Sequence, residues 1–403
     1  RGAAADERPA SEPPPRPMDA PLQHDTLQDA LDCITCDPPE GFQFVRAGCA
    51  HGQCSECPDL ERRACEWDAS REMSFVSLGK RQVGEDENGK PIMREMEVQR
   101  REKQSVAMQE YEDGLKFLKG HQFDKRMTHA CITSRQARII EGAAGVSISR
   151  DYNEKYGDKP LEERMAMHWT SRSTTLEVAV IRGCKDGTPV KHFVYHISDH
   201  PEQSYDVTKY NTVNDIKLCE ELGLLDEGQT VYEATDKCAG QYISTPALFA
   251  MSQTACLTGH AIDRACPASG HGRSDNDAAG GGAKHFLENE QKKGDAGLVD
   301  SAAESFAATC GAALEQGFEN KAVAHMNSKR SSASIHEKNH VHVYTEAELD
   351  EFFKKLPRCP TFKTAKLEGG GFTKDHCYHY LADPRDGLGF IRYRRWACAC
   401  DVC

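Results

Sequence analysis

Apolar and polar positions repeat with different periods along the chain, and the change of period divides it into segments. Val146–Tyr152, Arg164–Gly183, Lys191–Asp199 and Thr230–Asp236 each concentrate β-branched and apolar residues, as strands packed on a core do. The sequence GCKDG, Gly183–Gly187, marks a turn between the second and third. A helix is expected over Val213–Leu224, closed by the turn-like Asp226–Gly228, and another from Pro246 to about Thr254. The Gly-rich stretch GHGRSDNDAAGGGAK follows, with Asp277 opening a helix and helical pattern continuing beyond His285. Consecutive strands, then a fourth after a helix, predict an antiparallel meander joined to α/β crossovers. Thr345 and Glu348 make a capping box for a helix through Lys355.

Upstream the periodicity weakens. Met73–Gly84 reads as a strand pair, and Met93 to about Lys119, rich in Glu, Arg, Lys and Gln, as a solvated helix. Residues 1–30, with Pro9, Pro13, Pro14, Pro15 and Pro17, bury too little surface to fold. Five regions are therefore expected: a disordered linker at 1–30, a cysteine-rich zinc module at 31–70, a mostly helical region at 71–140, an α/β domain at 141–330, and a helix plus Cys/His-rich zinc module at 331–403. There is no internal repeat, and 403 residues exceed what one core usually organises.

Composition changes this picture in two places. No apolar run approaches the ~20 residues that cross a bilayer, so no membrane partner is expected. The chain opens at Arg1 without the apolar core of a signal peptide and stops in a cysteine motif, so it is expected to be part of a longer chain in a non-secretory setting. Net charge is -13, which argues against a simple polyanion binder. The charge is uneven: residues 358–403 hold eight Lys/Arg and five Asp/Glu, +3, leaving -16 for the rest. A basic tail on an acidic body is compatible with local nucleic-acid contact.

Of the 18 cysteines, six gather near the start, five at the end, and seven are scattered between. Cys33-x-x-Cys36 and Cys54-x-x-Cys57 have the paired spacing of a structural Zn²⁺ site, with Cys49, His51 and Cys65 as further donors, so the tetrad is open between these sets. Cys398, Cys400 and Cys403 supply three thiolates at the other end, with Cys377, His376 or His379 as the fourth. Tyr393, Arg394, Arg395 and Trp396 interleave charge with aromatic rings, which suits either a nucleic-acid backbone or a strand packed on the zinc knot.

Candidate catalytic chemistry rests on carboxylates. Asp151 ends the first strand of the α/β region, Asp236 ends the fourth, and Asp277 opens the later helix. Hard cations such as Mg²⁺ or Mn²⁺ require oxygen ligands converging from different elements. Two such ions roughly 3.5–4 Å apart support in-line attack on a phosphodiester. A lone aspartate at a strand end is ordinarily a solvated surface group. Asp199 in HISDH competes for the site, and Glu288 is a second choice for the third ligand.

The series ISRDYNEKY at 148–156, HISDH at 196–200, ATDKCAGQY at 234–242 and SGHGRSDNDAAGGGAK at 269–284 resembles a recurrent eukaryotic domain related to DDE-type transposases. Its corresponding segments look like MDFAENY, TDGCAAQYK and HGKGPSDGIGG, in the same order. The resemblance spans roughly residues 140–290. It implies an RNase H-like mixed sheet flanked by helices, with small zinc-stabilised modules at both ends. It also implies catalytic acids at Asp151, Asp236 and Asp277, with His271 beside the metal site, and makes Asp199 non-catalytic. Gln241 and Tyr242 are candidates to line the groove. The implied activity is DNA cleavage and strand transfer with Mg²⁺ or Mn²⁺. Alternatives are hydrolysis alone, or a domesticated module that only binds nucleic acid or protein. DNA is the expected partner, contacted by Lys284, Arg394 and Arg395, in a nuclear or intracellular setting, and a homo-oligomer is compatible with it. The ending YRRWACACDVC echoes a family ending of the type YRRIPCACxxC, and a cysteine knot often precedes the domain. Departures are Arg150 beside the first aspartate, Lys237 in place of a glycine beside the second, and Ala278 in place of the first helix glycine.

Overall fold

The computed structural model describes residues 36, 47–50, 54, 72–85, 91–153, 156–157, 173–200, 202–266, 275–292, 306–319, 336–357 and 379–394. The chain divides into two compact units, residues 1–123 and 124–403.

In the first unit, strands β1 (Glu72–Glu85) and β2 (Pro91–Lys103) form one long antiparallel ladder from Glu72↔Lys103 to Glu85↔Pro91. This corrects two expectations. Met73–Gly84 is a single strand, and the segment from Met93 is its partner, so helix α1 starts only at Gln104 and runs to Ile140. The charged run pairs as strand along its length, with Glu95 in register with Lys80 and Lys103 with Glu72, and at that last end Arg101 reaches Glu72 at 2.9 Å. At the junction with α1, Arg100 holds Glu110 through two bonds of 3.0 and 2.8 Å.

The second unit is α/β, a mixed sheet flanked by helices. Its strands are β3 (Val146–Tyr152), β4 (Tyr156–Gly157), β5 (Ser173–Lys185), β6 (Thr188–Ser198), β7 (Thr230–Ala234), β8 (Ala261–Ala265), β9 (His336–Tyr344), β10 (His379–Ala382) and β11 (Arg392–Arg394). Eight of them lie in the order β11-β10-β8-β7-β3-β5-β6-β9, and β4 pairs with β5 off this path. The meander β3-β5-β6 is antiparallel, whereas β7 is parallel to β3, β8 to β7 and β9 to β6.

Local sequence accounts for much of this. Asp186 (φ 52°) and Gly187 (φ 74°) make a two-residue hairpin turn, so β5 continues through Gly183 and the turn is tighter than the GCKDG pattern predicts. Helix α2 (Tyr205–Glu221) begins eight residues before the Val213 expected from pattern alone. Helix α3 (Thr245–Thr258) is capped by the Ser244 side chain on Ala247 N–H and stopped by Gly259 at φ 74°. Both cover one face of the sheet, burying Ile216, Cys219, Met251 and Ala255 against Val146, Ile148, Ala179 and Ile181. Helices α4 (Asp275–Lys292) and α5 (Phe306–Glu319) cover the other, through Ala279, Ala283, Leu287 and Leu314 against Val178, Val180 and Tyr195. Helix α6 (Glu346–Lys354) carries the capping box: Thr345 Oγ1 accepts from Glu348 N–H, and Glu348 Oε2 accepts from Thr345 N–H.

Strand β3 enters the sheet through Gly145. At φ +100° it occupies backbone space that L side chains avoid, and a Cβ there would lie 2.3 Å from the Thr230 carbonyl oxygen. Gly145→Ala is expected to cost about 2 kcal/mol or more. Urea unfolding followed by circular dichroism measures this, and an unchanged midpoint contradicts it.

Candidate functional site

Asp151 is the penultimate residue of β3 and Asp236 lies two residues beyond β7. The parallel ladder pairs Ser149 with Ala234, an offset of 85, and continuing that offset sets Asp151 opposite Asp236. Asp277 stands in the first turn of α4. The turn is fixed over the sheet by Asn276, whose buried amide donates to the carbonyls of Ser149 (2.8 Å) and Val178 (2.7 Å). Asp275 reinforces it by accepting from Arg182 (2.6 Å) and Lys191 (3.2 Å). Burial opposes the charge of Asp275, but these two cations hold its carboxyl below the usual range. Gly280 lets the helix approach, since a Cβ there would fall 1.5 Å from the Asn153 amide nitrogen. The next residue, Gly281, meets nothing within 4 Å.

The charges of Asp236 and Asp277 reach Asp151. Burial first, and then the charges of Asp236 and Asp277, push the Asp151 carboxyl up to about 7, against a lowering contribution from the Tyr152 backbone. Asp236 keeps part of its surface in solvent, yet burial also raises its carboxyl, opposed by the Cys238 N–H that donates to its Oδ1 at 3.0 Å. The competitors have other employment or another place. Asp199 accepts from the Glu346 N–H at 2.9 Å, at the start of α6. Glu288 is eleven residues along α4 from Asp277, about 16 Å at 1.5 Å per residue, too far to share its ion. Tyr242 is fully buried, with its hydroxyl 3.4 Å from Glu177, and Gln241 is buried beside it.

Register also places Arg394. Ser149, Ala234, Ala265, His379 and Arg394 are successive partners in one row across β3, β7, β8, β10 and β11. Arg394 therefore stands three strands from β7, ~14 Å at ~4.8 Å per strand. Lys284 lies on α4, two turns beyond Asp277. His271, Arg395, Cys33, Cys57, Cys377, Cys398, Cys400 and Cys403 lie outside the described residues.

A second candidate centre belongs to the first unit. Ligand atoms of Cys36, Cys49 and Cys54 lie within 4.8 Å of one another, with Sγ of Cys36 and Cys54 3.9 Å apart. Tetrahedral Zn–S bonds of ~2.3 Å put sulfurs ~3.8 Å apart. The Cys36 N–H donates to Cys49 Sγ at 3.3 Å, the kind of bond that stabilises a thiolate. The three cysteines thus fit a soft cation, and one more donor would complete the tetrad.

Sequence reading missed the charged cluster behind the acids. Arg150, treated above only as a departure, is fully buried and reaches Asp215 (3.1 Å, α2), Glu233 (3.3 Å, β7) and Glu177 (3.8 Å, β5). Arg264 on β8 meets Glu233 at 2.7 Å, and His196 on β6 meets Asp215 at 2.9 Å. Burial raises Glu177, whereas His196 and Arg150 hold Asp215 down and Arg264 and Arg150 hold Glu233 down, both against burial. The available signal was an arginine and a glutamate in the middle of otherwise apolar strands, VSISRDY and TLEVAVI.

Comparison with family models, with curated protein sequences and with solved structures returns no match for this chain. Among the described residues no helix is long and apolar enough to cross a membrane.

Proposed function

We propose that the chain is a metal-dependent nuclease or polynucleotidyl transferase of the RNase H-like, DDE-transposase type. The observation that carries the reading is the placement of Asp151, Asp236 and Asp277 at two neighbouring strand ends and a helix start, close enough that the charges of Asp236 and Asp277 raise the Asp151 carboxyl. The strand order β6-β5-β3-β7-β8, an antiparallel meander with two parallel strands beside its first member, supports the same reading.

The donor set fits hard divalent cations. Three carboxylates that repel one another become mutually compatible when a cation lies between them. Among the described residues only the cysteine trio brings three ligand atoms within 4.8 Å, so the acids are spaced more widely than a single tight cluster. A pair of ions, rather than one, would then be needed to engage all three. Asp151 and Asp236 would hold one flank and Asp277 the other. When bound, Mg²⁺ or Mn²⁺ supplies nucleophile activation and charge stabilisation on the leaving oxygen. Asn276 and Asp275 orient the helix turn that carries Asp277, and Lys284 and Arg394 offer cationic contacts to the phosphate backbone.

Incubation of the purified chain with Mn²⁺ and end-labelled duplex DNA tests this. Nicked product supports nuclease action, and joined product adds strand transfer. No product at any divalent ion concentration defeats the catalytic reading and leaves a domesticated binding module. We assign Zn²⁺ to the Cys36, Cys49 and Cys54 centre. Elemental analysis of a carefully washed sample should find at least about one zinc per chain, and substoichiometric zinc contradicts it.

A further inference from the structure

The backbone pairing between β3 and β7 ends at Ser149↔Ala234, two residues short of the aspartates. Beyond that rung the two strands are held from opposite sides. Asp151 still pairs with Val178 on β5, whereas Thr235 donates its N–H to Ala265 on the β8 side at 3.2 Å. Nothing in the ladder itself sets the gap between Asp151 and Asp236.

A side-chain link lies at this point on the opposite face of the sheet. Arg150, the neighbour of Asp151, sits 3.3 Å from Glu233, three residues before Asp236. Glu233 is also gripped by Arg264 at 2.8 and 2.7 Å, which ties in β8. Asp215 at 3.1 Å ties Arg150 to α2, and His196 ties Asp215 to β6. Asn211 donates to Glu177 at 2.5 Å, closing the cluster on β5. The side chains of Arg150, Glu177, Asp215 and Glu233 have no exposed surface.

Such burial is costly. Each ion gives up several kcal/mol of hydration, and apolar replacements of equal volume are commonly as stable or more so. Stability alone therefore does not account for two arginines and three acids in one core. The ion pairs of Arg150 with Glu177, Asp215 and Glu233, and the hydrogen bond from Arg264 to Glu233, link β3, β5, β7 and β8 where the ladder no longer does.

We propose that the buried Arg150 cluster is a positioning device that sets the separation of Asp151 and Asp236, and so the geometry of the divalent-metal site. The inference rests on the metal-site reading, but its structural half can be tested without metal. Arg150 and Glu233 are positioning residues; neither touches the ion.

Two variants decide the matter: Glu233→Gln, and the charge-balanced double variant Arg150→Met with Asp215→Asn. Mn²⁺ binding is measured by calorimetry, folding by circular dichroism, and local order by hydrogen exchange of the metal-free protein. Both variants should fold, with at least a tenfold weaker Mn²⁺ affinity and faster exchange confined to residues 149–153 and 234–238. Wild-type affinity in the folded variants overturns the proposal. So does failure of both to fold, because the cluster would then be a stability element. Absence of Mn²⁺ binding by the wild type instead defeats the metal-site reading. In that case exchange decides alone: selective loosening of the two segments upholds the positioning role, and an unchanged pattern ends it.

Discussion

Asp236→Asn is expected to reduce Mn²⁺-dependent nicking of duplex DNA by more than about 100-fold while leaving the fold intact. Losing a partner outside the ligand shell already costs 10–100-fold in comparable metal sites, and a direct ligand should cost more. Asparagine keeps the shape of the side chain and its acceptor for the Cys238 N–H at 3.0 Å, so the turn after β7 should survive. What it removes is the negative charge that, with Asp277, raises Asp151. Gel analysis of labelled product, with circular dichroism as the folding control, gives the result. Cleavage at the wild-type rate in a folded variant would mean that this carboxylate holds no catalytic ion.

The second large effect is on pH. Asp151 titrates at about 7 in the folded chain, against an ordinary value of 3.8. Between these values the folded state binds more protons than the unfolded state, so this group lowers stability as pH rises, with the loss complete above about 7. After discounting for solvent screening at a partly exposed carboxyl, the contribution is on the order of 1 kcal/mol, or about 2–4 °C in Tm. Asp151→Asn should therefore raise Tm of the metal-free protein at pH 8 and leave it unchanged near pH 4. Metal binding runs the other way. A proton must leave Asp151 before a cation can be held, so Mn²⁺ affinity should climb up to about tenfold per pH unit below 7 and then level. The variant should lose that slope. A pH-independent Mn²⁺ affinity in the wild type would sink this account of Asp151.

The two effects are coupled through one physical cause. Like charges gathered at a partly desolvated rim destabilise the empty protein and are relieved when a divalent cation arrives. Metal should accordingly raise Tm most at high pH in the wild type, and the gain should shrink when any one of the three acids is neutralised.

Much of the sheet was legible along the chain. Strand β3 was recovered at its exact limits, Val146–Tyr152, because β-branched Val146 and Ile148 alternate with small polar Ser147 and Ser149 in a period of two. The Thr345 cap was legible because it is decided by side chains within a few residues, whereas the helix expected to end at about Thr254 runs on to Thr258, before Gly259. Strands β8 to β11 were not. The five residues AIDRA at 261–265 place Asp263 and Arg264 where a buried strand should be apolar. Arg135 and His379 neutralise the first, and Glu233 the second, from 31 to 128 residues away. The segment from Met93 was misread as helix, and Met73–Gly84 as a strand pair of its own, because the pairing of β1 with β2 is a relation between segments that is invisible along either one.

The candidate site divides in the same way. Local pattern in the sequence placed candidate acids at strand ends and a helix start, with Asp199 and Glu288 as competitors, and the family resemblance of the motifs singled out Asp151, Asp236 and Asp277. Only the tertiary structure decided that the charges of Asp236 and Asp277 reach Asp151, that Asp199 serves as a helix-start acceptor, and that Arg150 is the centre of a buried cluster. The reason is that Coulomb interaction and desolvation depend on distance through space and on solvent access. Neither is set until strands distant along the chain have taken their register.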